Sequence, residues 1–61
     1  MARDEEVYAH LATMKESLTM IHRDADHLRT NHVLLPDQSE FLEDLQHTIA
    51  WVLQKGATAF P

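Results

Sequence analysis

Residues 7–28 read VYAHLATMKESLTMIHRDADHL, and the fold turns on how their apolar positions are spaced. Val7, Leu11, Met14, Leu18, Ile21, Ala25 and Leu28 follow one another at intervals of 4, 3, 4, 3, 4 and 3. That alternation is a heptad pattern held for three repeats, and on a helix turning about 100° per residue it puts all seven side chains in one narrow stripe. Glu5, Ala9, Glu16, Arg23 and Asp24 fall away from the stripe. A narrow apolar stripe is the signature of a bundle or coiled-coil helix. Upstream, Asp4, Glu5 and Glu6 place carboxylates at the positive end of the helix dipole; downstream, His27, Arg29 and His32 place cations at the negative end. The first helix is expected over about residues 3–31.

The segment Thr30-Asn-His-Val-Leu-Leu-Pro36 interrupts the pattern. Pro36 drives Leu35 out of the helical region, and Asn31 is a residue able to take the left-handed conformation that closes a helix. Asp37 with Glu40 three residues later has the form of a capping box, with Leu35 or Pro36 placed to staple Phe41. A second helix is expected over about residues 37–55, with Phe41, Leu42, Leu45, Ile49, Val52 and Leu53 on its apolar face and Gly56 as its stop. The last residues, Ala57 to Pro61 including Phe60, read as a loose tail.

Two long helices joined by so short a corner must run antiparallel, so the predicted class is all-α, a single helical-hairpin domain spanning residues 1–61. One hairpin has a single interhelical seam, and its longer first helix leaves Val7, Leu11 and Met14 unmatched. With 61 residues and no cysteine, disulfide and thiolate-zinc staples are excluded, which leaves association as the means of stabilising so small a fold. The expectation is a homodimeric four-helix bundle with two-fold symmetry, with a trimer or tetramer left open because Leu, Met, Ala and Val mixed along the seam do not fix the oligomer order. Its interface would draw on Val7, Leu11, Met14, Leu18, Ile21, Ala25 and Leu28 of the first helix, and Leu42, Leu45, Ile49 and Val52 of the second.

Charge narrows the function classes. Ten acidic against five basic residues give a net charge of −5, and Arg3, Lys15, Arg23, Arg29 and Lys55 are scattered, so nucleic acid and membrane surfaces are disfavoured as partners. No apolar run approaches the roughly 20 residues of a membrane span, and the start, Met1-Ala-Arg-Asp-Glu-Glu, is the opposite of a signal peptide, so a cytoplasmic protein is expected. Enzyme chemistry finds no foothold. Ser39 is explained by helix initiation, Ser17 sits on a helix side without a turn to expose it, and one glycine cannot build a phosphate-cradling loop. No cofactor is implied.

The five histidines, at 10, 22, 27, 32 and 47, were they all charged, would cancel the net charge. His22 with Asp26 and Glu43 with His47 are i, i+4 pairs, while Asp24 with His27 and Asp44 with His47 are D-x-x-H pairs. Most of these positions lie off the apolar stripes, so they read as surface pairs rather than metal ligands projecting into a core. His32 continues the heptad beyond Leu28 and is a candidate for capping the helix or fixing bundle register.

What remains is recognition through a helical surface. Trp51 points about 140° away from the centre of the second helix's apolar face, and Tyr8 and Met20 likewise lie off the first stripe. Trp51 either packs against the first helix of the partner chain, as part of a wide dimer face, or stands on the surface; if exposed, Trp51, Tyr8 and Met20, with Phe41, would mark a partner-binding surface. The expected function is therefore a small non-enzymatic adaptor or inhibitor, of the kind bacteria and their phages encode, acting on a larger protein. A self-assembling scaffold component and a histidine-based metal or pH sensor are the alternatives.

Overall fold

A computed structural model describes residues 4–59, which form two helices, α1 (Glu5–Asn31) and α2 (Pro36–Lys55), packed against one another. The expected start at residue 3 and the Phe60-Pro61 end lie outside the described residues. Asp4 begins α1 by chemistry that its acidic side chain makes available. Its Oδ1 accepts from the backbone N–H of Glu6 at 3.0 Å and of Val7 at 3.4 Å, satisfying two of the donors that a helix start leaves open.

The corner departs from expectation in three ways. Asn31 does not turn left-handed, since no described residue has a positive φ. It is instead the last residue of α1, and its Nδ2 donates to the His27 carbonyl at 3.0 Å, so the side chain does what a left-handed backbone would otherwise do for an orphan carbonyl. His32 follows in extended conformation, its N–H bonded to the Leu28 carbonyl at 3.1 Å. His32 thus takes the first of its two candidate roles, closing the helix as its cap, while α1 ends at Asn31 and does not carry the heptad on to it; its ring lies edge-on to that of His27 with centroids 6.0 Å apart.

The second departure is the cap of α2. The box is not Asp37 with Glu40: the cap is Leu35, whose N–H donates to Gln38 Oε1 at 3.0 Å, while Asp37 accepts from the N–H of Gln38 at 2.9 Å. Pro36 decides this, because its fixed φ and missing N–H suit the first helical position, which moves the start one residue upstream. Third, Leu34, rather than Leu35 or Pro36, is the corner residue that shares an apolar recess with Phe41. At the far end Gly56 stops α2, but at φ −85° and ψ 7°, a conformation open to any residue, with its N–H on the Val52 carbonyl at 2.8 Å. Residues 56–59 continue in turns.

The helices run antiparallel, and a polar clamp sets their register. Gln46 Nε2 donates to the His22 carbonyl at 3.3 Å, and Gln46 Oε1 accepts from Arg29 Nη1. Arg29 Nη2 also lies 3.5 Å from the Glu43 carboxylate. Around this clamp the core is slight. Only Ala25, Ile49 and Gln46 are buried, at 2%, 3% and 6% exposure, among the described residues. Ala25, the buried residue of α1, brings only a methyl group to this core, and Gln46 and Ile49 are the buried residues of α2. The result is an elongated body of 52 × 17 × 13 Å with no thick interior.

Candidate interaction surfaces

The heptad stripe of α1 divides into two rows. Leu11 and Leu18 are half-buried and Ala25 buried, so this row, seven residues apart, turns toward α2 and the C-terminal turns. Val7, Met14, Ile21 and Leu28 form the other row, also seven apart, and all four are exposed. On a helical wheel the exposed row lies on one flank of Ala25, while His22 and Arg29, which meet Gln46, lie on the other. On α2, Ile49 is committed to the hairpin's own core, and Leu42, Leu45 and Val52 are half-buried with one side open.

The exposed row is longest where α2 is missing. α1 has 27 residues and α2 has 20, so α1 outruns its partner by seven residues, about 10 Å at 1.5 Å per residue. The turns after α2 reach part of this overhang: Thr58 and Ala59 line a recess with Asp4, Val7, Tyr8 and Leu11, in which Tyr8 is half-buried. Tyr8 is thus placed in a contact of the hairpin with itself rather than on an open face. At the corner end, Leu28, Leu34, Gln38, Phe41 and Leu42 line an almost wholly apolar recess of about 350 Å³, with Phe41 itself 62% exposed.

Trp51 stands on a different surface. It is 59% exposed and borders a shallow groove with His22, Arg29, Gln46, His47, Ala50 and Gln54, none of which lines the Phe41 recess. Lys55 Nζ lies 4.9 Å from the indole centroid, a cation–π contact worth about 0.5–1 kcal/mol at an exposed site. This surface is mixed, with cationic and amide groups around one large aromatic, whereas the Phe41 recess is apolar. Met20 is exposed as well but lines none of these recesses. The four candidate recognition residues are therefore not one patch.

The residue that sequence reasoning missed is Gln46. Its signal was present: Leu42, Gln46, Ile49 and Leu53 are spaced 4, 3 and 4, so a polar side chain occupies a core position of α2. His22 and Arg29 hold the matching places on α1, in series with Leu18 and Ala25 at spacings of 4, 3 and 4. The histidines themselves are dispersed. His10 pairs with Glu6 at 3.8 Å, His22 is half-buried beside the clamp, and His47 is exposed. Among the described residues no group of three or more His, Asp and Glu side chains is placed to hold a metal ion, and no helix is long and apolar enough to cross a membrane. No family model, curated protein or solved structure matches the chain.

Proposed function

We propose that this chain is a non-enzymatic protein-binding module: a homodimer formed through the exposed row of α1 and the open side of α2, which presents the Trp51 surface to a larger protein as an adaptor or inhibitor. The observation that carries the reading is the pairing of a core of three buried residues, among the described residues, with large exposed apolar side chains on separate surfaces. Area supports the dimer. The chain exposes 5140 Å², whereas folded monomers of 7.0 kDa expose roughly 4000 Å². Two copies merged into one body of globular area would remove roughly 3600 Å² from water, within the range of about 2000–5000 Å² of obligate homodimers.

Trp51 supports the second half of the reading. Aromatic anchors carry a large share of the energy in protein recognition, and this one is held upright by Lys55 on a face that the exposed row does not need. Sedimentation equilibrium tests the dimer: a mass twice that of the chain, falling to the single chain for Ile21→Glu, supports it, and a folded monomer at micromolar concentration refutes it. The docking role is tested by capture with wild type and Trp51→Ala side by side. One protein held in fixed ratio by wild type and released by the variant, with helicity and dimer mass unchanged, supports the Trp51 surface; equal retention refutes it.

A self-assembling scaffold component is the second reading, and the corner favours it. Val33 is 102% exposed and Leu35 is exposed beside it, an apolar tip in a place where corners are usually polar. That reading expects masses beyond the dimer that fall on Val33→Ser with Leu35→Ser.

A further inference from the structure

We propose that the two chains pair with their corners at opposite ends. The exposed row of α1 then lies antiparallel against the same row of the second copy, and the overhang of each chain fills the corner recess of the other. The inference rests on the dimer reading above and adds to it an orientation and a register.

The row itself is the first argument. Val7, Met14, Ile21 and Leu28 are evenly spaced, so the row is symmetric about a point between Ser17 and Leu18. Reversing one copy sets Val7 against the partner's Leu28 and Met14 against the partner's Ile21, and each pairing is made twice, as an isologous two-fold interface requires. Neither pairing places two like charges opposite each other.

Coverage is the second argument. The hairpin has two uncovered ends of complementary form. At one end Val7 projects from the seven residues, 5–11, by which α1 outruns α2, and exposed Met14 follows it along the row. At the other, Leu28, Leu34, Phe41 and Leu42 line the apolar recess, whose one polar neighbour, Gln38, is already bonded to the Leu35 N–H. Reversed pairing brings these ends together, because Val7 arrives at the level of the partner's Leu28 and hence at the recess that Leu28 shares with Phe41 and Leu42. A two-fold axis along the hairpin does not achieve this. It would set the corners side by side, with the exposed row of α1 meeting its own copy in parallel, Val7 on Val7 and Met14 on Met14, or facing α2 of the other copy, and in either case both corner recesses would lie at the end away from the overhangs, with neither overhang to fill them.

The groove beside Trp51 lies on the flank of Ala25 away from the paired rows, so the reversed dimer leaves it open in both copies.

The chain has no cysteine, and Val33 is fully exposed at the corner, so Val33→Cys carries a single nitroxide label without disturbing any packed group. In the reversed dimer the two labels sit at levels about 31 residues apart along α1, roughly 45–50 Å at 1.5 Å per residue. Pulsed electron–electron resonance on the labelled dimer should return that distance. A distance below about 25 Å would place the corners together and overturn the orientation while leaving the dimer standing. Sedimentation of the same sample separates the two failures, since the mass of a single chain would overturn the dimer and this proposal with it.

Discussion

Replacing Gln46 by alanine removes the buried polar side chain at the centre of the interhelical clamp. Gln46 makes two interhelical hydrogen bonds, one to the His22 carbonyl at 3.3 Å and one from the Arg29 guanidinium. The first is neutral and long, worth about 0.5 kcal/mol; the second is charge-assisted, worth about 1.5–3 kcal/mol in general, and is discounted here because Arg29 is partly exposed and keeps Glu43 at 3.5 Å. The two together with the small cavity left beside Ala25 give a cost of about 2 kcal/mol. For a chain of this size that corresponds to a fall in midpoint temperature of about 10 °C. The assay is urea unfolding followed by far-ultraviolet circular dichroism at one fixed protein concentration, because an associating chain has a concentration-dependent midpoint. Arg29→Ala and the double variant complete a thermodynamic cycle, with a coupling of about 1 kcal/mol expected between the two positions. A loss below about 0.5 kcal/mol for Gln46→Ala, or zero coupling, would refute the clamp.

Two further substitutions probe the helix start and the buried core. Asp4→Ala should cost about 1 kcal/mol, since both cap hydrogen bonds are lost, whereas Asp4→Ser should restore most of it; the same unfolding assay reads both. Ala25→Leu should cost about 1–3 kcal/mol by overfilling a buried position, with the urea slope nearly unchanged. Unchanged stability for Ala25→Leu would mean that the helices do not meet there.

The helices were legible in the sequence because their cause is local. An unbroken 4–3 alternation, acidic residues at the first turn and Pro36 place both helices within one or two residues of Glu5–Asn31 and Pro36–Lys55. The corner was less legible because competing local solutions are nearly equal in energy. An asparagine can relieve an orphan carbonyl by turning left-handed or by offering its side-chain amide, and Asn31 takes the second course. A proline can precede a cap or follow one, and Pro36 follows. On the surfaces, the angle of Trp51 showed that it lies off the hairpin's own core, as its 59% exposure in the single chain bears out, but not whether a second copy covers it. The separation of Phe41 from Trp51 was not, nor the folding of Tyr8 into a recess with Thr58, because both depend on where the second helix and its last turns lie.

The division of the heptad stripe bears on how association and target binding would be linked. A stripe that reads as one feature serves two purposes: Leu11, Leu18 and Ala25 complete the hairpin, and Val7, Met14, Ile21 and Leu28 are left over from it. Had the target surface coincided with the leftover row, binding a larger protein would require the dimer to come apart, and the free dimer would be a stored form. The recess beside Phe41 and the groove beside Trp51 share no lining residue, so on the proposed reading the two events would use separate surfaces. On the proposed dimer, coupling would then act through stability, because a second copy would cover a hairpin that buries three side chains among the described residues. Ile21→Glu should therefore weaken target binding in proportion to the helicity it removes, and raising the concentration of that variant should restore both together. Binding that improves on Ile21→Glu would show the opposite, a target competing for the row itself.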